Sequence, residues 1–410
     1  MLEAYARVVG EDVVRQLRLL AGPMQGLRVV HVNSTRTGGG VAEILATLVP
    51  LMCELGLDAR WETIEGSPGF YRCTKLFHNG LQGQPTAVTA EMLHEYEQVN
   101  ASNAGRLGAD LVAADIVFIH DPQPAALLNH TTGRRGKWIW RCHIDVSHPH
   151  PPVWQYLRHL VAAYDASVFS LADFAPLLPH PCYLIPPSID PLSDKNVDLP
   201  GTEVAACCKR FGLDPSRPLV VQVSRFDRFK DPLGVIRAWR LARKFVPGLQ
   251  LALAGGGATD DPEGDAVLRE VLAEAGTETE VRVLLLPADA NRTINALQRA
   301  ADVVMQKSVR EGFGLTVTEA LWKSKPVIGG NTGGIRLQVV DHHTGFLVSS
   351  PEGAALRLRH LLHDRQHGAA MGTRGREHVL QNFLITRQLR EYLTLMLGLA
   401  RNTPDRIELS

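Results

Sequence analysis

Short apolar runs alternate with longer amphipathic stretches along most of this chain. Residues 2–20 carry apolar positions at helical spacing and predict a helix on the outside of a first domain. Residues 27–32 predict a strand, followed by the polar NSTRTGGG and a helix over 41–55. Strand-like runs recur at 116–120, 138–143, 167–171 and 183–185. A second series occupies 219–224, 249–254, 281–286, 303–306, 326–328 and 346–348, with helical patterns between. Strands that are apolar on both faces and alternate with helices predict parallel sheets covered on both sides. The polar, Pro-rich stretch PPSIDPLSDKNVDLPGTE (186–203) separates the two series and reads as a linker. The expected architecture is α/β, with two doubly wound, Rossmann-like domains facing a cleft.

Composition narrows the class. A chain of 410 residues, 45% hydrophobic and 21% charged, is globular and long enough for two or three domains. The formal net charge of zero argues against nucleic-acid binding driven by phosphate neutralisation. The six cysteines are scattered, and adjacent Cys207 and Cys208 make a poor disulfide, so they read as reduced thiols in a cytoplasmic protein. The charged N-terminal segment lacks the apolar core of a signal peptide, and no run is long enough to span a bilayer.

Ligands of open parallel sheets bind at the carboxyl ends of strands, and the unusual residues fall there. Gly38, Gly39 and Gly40 follow the first strand; Asp121 and Gln123 follow 116–120; Arg141, His143 and Asp145 cluster at the end of 138–143. Arg225 and Lys230 follow the first strand of the second series, the glycines 255–257 its second, and Glu311 its fourth. The densest of these segments is REGFGLTVTE, residues 310–319. It places Glu311 beside a Gly-Phe-Gly turn and Glu319 two turns into the helix that follows. Alone, a Glu pair reads as a turn carboxylate and a solvated helix residue. With the glycines and the strand before it, Glu311 suits sugar hydroxyls, Glu319 suits ribose hydroxyls, and the free N–H groups suit phosphate or sugar oxygens. Arg225 and Lys230 form a cationic pair that can hold a diphosphate. The triple glycine allows close backbone approach, but neither the GxGxxG fingerprint nor a Walker loop is present. No GxSxG elbow supports a hydrolase, and His143, His148 and His150 lack the spacing of a metal site.

REGFGLTVTE and SRFDRFK resemble the spaced Glu pair and the Arg…Lys diphosphate site of retaining glycosyltransferases of family 4, which have the GT-B fold. HVNSTRTGGGVAEIL, FHNGLQG, HDPQPAAL, WRCHIDVS, PPSIDPLSDKN and DDPEG resemble its trehalose-forming branch, which joins a nucleotide-activated glucose to free glucose. The resemblance covers nearly the whole chain. It implies an acceptor-binding domain over 1–190, a nucleotide-sugar-binding domain over 191–380, and a C-terminal helix in 381–410 that packs back toward the first domain.

By position, the resemblance implies that Arg225 and Lys230 hold the diphosphate and that Glu311 holds the donor glucose with the amides of Gly312, Phe313 and Gly314. Leu315 belongs to the same donor site, Glu319 holds the ribose, and Gly39 and Gly40 approach the phosphate or sugar. His143 lies beside the transferred glucose, and Asp121, Gln123, Arg141 and Asp145 line the acceptor site. Many family members have Gly after the Lys where this chain has Asp231. The implied reaction needs nucleoside-diphosphate glucose (ADP-, UDP- or GDP-glucose) as co-substrate, glucose or trehalose as partner, and no metal or further cofactor. It leaves a homodimer open. The rival readings are a trehalose phosphorylase using inorganic phosphate, a nucleotide-sugar epimerase and a non-catalytic sugar-binding protein.

Overall fold

The computed structural model describes residues 1–37, 39–256 and 262–400, without the side chains of 262 and 263. Gly38, Gly257 and the start of DDPEG lie outside the described residues. The chain divides into two compact units. Unit 1 is Met1–Ser188 with Ile385–Ser410, and unit 2 is Ile189–Leu384.

Unit 1 contains β1 (Arg28–Asn33), β2 (Asp58–Thr63), β3 (Ile116–His120), β4 (Lys137–Arg141), β5 (Ala166–Phe169) and β6 (Cys182–Leu184). They form a parallel sheet in the order β2-β1-β3-β4-β5-β6. Its central strands are buried on both faces, so they read as continuous apolar runs. β2 lies at the edge and is only half-buried, and for that reason its sequence DARWET carries no strand signal. The helix expected over 2–20 is two helices, Leu2–Val9 and Glu11–Ala21. The break falls at Gly10, whose φ of 88° lies outside the helical region. Helix Ile385–Ala400 packs against Glu11–Ala21 and Gly40–Glu54, so the end of the described chain belongs to unit 1.

Unit 2 contains β7 (Leu219–Val223), β8 (Gln250–Gly255), β9 (Val281–Leu285), β10 (Val303–Gln306), β11 (Val327–Gly330) and β12 (Gly345–Val348). The sheet is again parallel, in the order β12-β11-β10-β7-β8-β9. A core around Trp239, Leu251, Val303, Met305 and Leu358 fills one face. The expected linker is more than a tether. Asp194, Asn196 and Val197 are built into unit 2, where Asn295 Nδ2 donates to Asp194 O at 2.9 Å and to Val197 O at 2.8 Å. Polar, Pro-rich sequence was a poor guide here, because buried amides from elsewhere in the unit satisfy its carbonyls. No helix among the described residues is long and apolar enough to cross a membrane.

Candidate functional site

In unit 2 the strand order reverses between β7 and β10, which are hydrogen-bonded neighbours (Val220 opposite Val303) although eighty residues separate them. Such a reversal opens a crevice at the carboxyl ends. The loop after β7 brings Lys230, and the loop after β10 brings Glu311. Lys230 Nζ donates to Glu311 Oε2 at 2.6 Å, and Ser308 Oγ donates to the same oxygen at 3.1 Å. Both charged groups are largely withdrawn from water, with side-chain exposures of 18% and 9%. Two bonds secure the loops: Val309 N–H to Phe229 O at 2.8 Å, and Gln222 Nε2 to Lys230 O at 2.8 Å.

Asp231 adopts the left-handed region at φ 49°. Glycine enters that region without cost, whereas aspartate needs compensation. It receives three kinds. Its side chain accepts from Gly234 N–H at 3.0 Å as the N-cap of helix Pro232–Arg243, Pro232 takes the first helical position, and Lys307 pairs with its second oxygen. Arg225 is half-exposed, and its guanidinium lies 3.6 Å from Asp227 Oδ2.

Gly314 begins helix Leu315–Trp322 from a left-handed conformation, φ 85°. A Cβ there would stand 3.1 Å from Glu311 Cγ. Behind the loop, a Cβ on Gly334 would come within 2.4 Å of Phe313 Cα, so the turn is clamped against backbone. The first-turn N–H groups of the helix, at Leu315 and Thr316, have no intrahelical acceptor and point beyond the helix start. Glu319 lies one turn into this helix rather than the two expected, and it is buried at 2% exposure rather than solvated. Its Oε1 lies 4.0 Å from Lys195 Nζ, while its buried Oε2 has no partner among the described residues. An open buried acceptor of this kind suits a ligand hydroxyl.

Unit 1 presents a second cluster. Asp121 follows β3 in a left-handed conformation, φ 65°. Its Oδ1 accepts from His143 N–H at 2.7 Å, and its carbonyl accepts from Trp140 Nε1 at 3.1 Å. Burial raises its carboxyl to about 6, against the lowering effects of the His143 N–H and the Arg141 charge. Arg141 is fully buried, and none of its three guanidinium nitrogens has a hydrogen-bond partner among the described residues. Asp145 turns its carboxylate onto Ser147, accepting from N–H at 3.0 Å and from Oγ at 2.6 Å. Gln123 is half-buried, and its carbonyl accepts from Asn100 Nδ2 at 3.2 Å. Gly39 caps helix Gly40–Glu54 at φ 109°, with nothing within 4 Å of a Cβ added there, so its backbone conformation rather than crowding calls for glycine.

Residues 31–176 match the family model described as "Trehalose synthase, N-terminal domain", and 208–378 match "Glycosyl transferases group 1". A "Trehalose synthase" of Pyrococcus horikoshii is 45% identical over 400 residues, covering 96% of this chain and 95% of that protein. The chain belongs to the trehalose synthase family. It is a trehalose-related glycosyltransferase. A "Trehalose phosphorylase" of Pleurotus pulmonarius is 28% identical over 405 residues, covering 87% of this chain and 55% of that longer protein. The fold is GT-B. A solved structure titled "Trehalose-6-phosphate from E. coli bound with UDP-2-fluoro glucose" superposes with a TM-score of 0.74 at 14% identity, over 90% of this chain and 98% of that one.

Three residues around these clusters escaped the sequence reading. Lys323, 5% exposed, donates to Gln298 Oε1 at 2.8 Å and to Asn196 Oδ1 and Glu319 O at 3.1 Å. Burial pushes it down to about 7, opposed by the Glu319 charge. Its three acceptors match the three N–H bonds of an ammonium group, and it anchors the helix that carries Glu319. His31 and His120 lie within strands β1 and β3, where a lone histidine in an apolar run carries no functional signal.

Proposed function

We propose that this enzyme makes α,α-trehalose by transferring glucose from a nucleoside-diphosphate glucose to free glucose, with retention at the anomeric carbon. The observation that carries the reading is the Lys230–Glu311 pair at the reversal of the unit 2 sheet, beside the free amides that open helix Leu315–Trp322. Lys230 and Arg225 are assigned to the diphosphate. Glu311 and the amides of Gly312, Phe313 and Gly314 are assigned to the donor glucose, Leu315 to the same donor site, and Glu319 to the ribose. Gly39 and Gly40 are assigned to the donor's phosphate or sugar. In unit 1, Asp121, Gln123, Arg141 and Asp145 are assigned to the acceptor and His143 to the transferred sugar.

The chemistry follows from where charge develops. The bond between the anomeric carbon and the diphosphate oxygen breaks, and negative charge accumulates on the leaving phosphate. Fixed cations at that place lower the barrier most. On the same face, the acceptor hydroxyl oxygen forms the new bond to the anomeric carbon, and its proton passes to the leaving phosphate oxygen. Glu311 is then a positioning group rather than a nucleophile, which separates this route from that of glycosidases with two carboxyl groups.

The test is a product assay with ADP-, UDP- and GDP-glucose, each with glucose, and a second series with trehalose plus inorganic phosphate. Formation of α,α-trehalose with release of nucleoside diphosphate is the expected result. Phosphorolysis of trehalose without nucleotide-dependent synthesis would instead support a phosphorylase, the activity named for the Pleurotus relative.

A further inference from the structure

Three histidines from separate segments of unit 1 form a continuous hydrogen-bonded row. His31 Nδ1 lies 3.0 Å from His120 Nε2, and His120 Nδ1 lies 3.1 Å from His143 Nε2. The rings of His120 and His143 stack at 5.4 Å, and His31 lies flat against Phe118 at 4.7 Å. His31 and His120 are buried, whereas His143 is partly exposed. The row therefore runs from the core to the end of β4. Burial holds all three imidazoles neutral: His31 is pushed down to about 3, and His120 and His143 well below their usual value, reinforced for both by the Arg141 charge.

Neutrality makes the row all-or-none. A neutral imidazole carries one N–H and one bare nitrogen, and each bond in the row needs one of each. His120 is bonded at both nitrogens, so only two arrangements satisfy both bonds. In the first, His31 Nδ1–H donates to His120 and His120 Nδ1–H donates to His143. His143 then carries its proton on Nδ1. In the second, every proton shifts to the other nitrogen, leaving His143 Nδ1 a bare acceptor and His31 Nε2 an N–H donor.

The inner end decides between them. His31 Nε2 is buried and has no partner among the described residues. The second arrangement would place an N–H there without an acceptor, and orphaned buried donors are rarer than under-satisfied acceptors. The first leaves only a lone pair unused. We propose that His31 and His120 are positioning residues that lock His143 as an Nδ1–H donor, presented to a hydroxyl oxygen of the sugar. The sugar as its recipient rests on the function proposed above; the lock itself does not.

The experiment is nitrogen-15 NMR of the full-length protein labelled at histidine, which separates protonated from bare ring nitrogens at each site. At neutral pH, His143 is expected to show a protonated Nδ1 and a bare Nε2. His120→Phe removes the donor to His143 Nε2 and should release the partly exposed His143 toward the Nε2–H form favoured by free imidazole. His120→Asn, whose amide nitrogen occupies nearly the place of Nδ1, should restore the wild-type pattern. Transfer activity should follow, falling roughly tenfold in kcat/KM in His120→Phe, on the scale of one misdirected hydrogen bond, and recovering in His120→Asn. A wild-type His143 that is Nε2-protonated, or unchanged by His120→Phe in a protein that melts normally, overturns the proposal. The NMR pattern without any glucosyl transfer would uphold the lock and refute the proposed function instead.

Discussion

Replacing Lys230 with Met removes the charge while keeping most of the stem, and it separates catalysis from folding at one position. Glu311 would lose its 2.6 Å partner and keep only the Ser308 Oγ bond at 3.1 Å. Breaking a fully buried pair costs about 3–5 kcal/mol; with exposures of 18% and 9%, solvent screening brings the expected loss to about 1–3 kcal/mol. For a unit of this size, that is roughly 2–12 °C in Tm. The catalytic loss has another origin, the missing charge at the leaving diphosphate, and should amount to about 100- to 1,000-fold in kcat. Adding Glu311→Gln neutralises the stranded carboxylate, so the double variant should regain most of the melting temperature and none of the kcat. The assays are thermal unfolding and steady-state release of nucleoside diphosphate. A kcat within tenfold of wild type in Lys230→Met, or restored in the double variant, would refute the assignment of Lys230 to the leaving group.

Two further substitutions test the geometry. Gly314→Ala forces a side chain into a left-handed backbone at φ 85°, 3.1 Å from Glu311 Cγ. It should cost about 1–2 kcal/mol in denaturant unfolding and raise the KM for the donor more than that for glucose. Asp121 tests pH linkage. Its folded carboxyl sits near 6, above its unfolded value of 3.8, so the folded state holds the proton more tightly between those values. Its contribution is therefore least unfavourable below pH 3.8, and stability is lost as pH rises through 6, by no more than about 3 kcal/mol. Asp121→Asn, which can still accept from His143 N–H, should abolish that part of the slope. Parallel wild-type and Asn curves between pH 4 and 7 would contradict it.

The sequence by itself determined the elements and the turn chemistry. Eleven of the twelve strands overlap an apolar run, and β3 and β10 match to the residue, because strands buried on both faces have no alternation to disguise them. β2 was missed for the opposite reason, since an edge strand with one wet face needs little apolar character. Gly314 was legible because a left-handed helix start tolerates few residues. So was Glu311, as the carboxylate beside it. Pairing was another matter. Lys230 meets Glu311 because β7 and β10 are neighbours across a crossover, and the three histidines align because β1, β3 and β4 are adjacent. Strand order is set by contacts distant in sequence, and no local period encodes it. Burial was likewise decided in three dimensions. The same histidine that is an ordinary strand residue in the one-letter string becomes, between Phe118 and His120, one end of a row whose protons must all face one way.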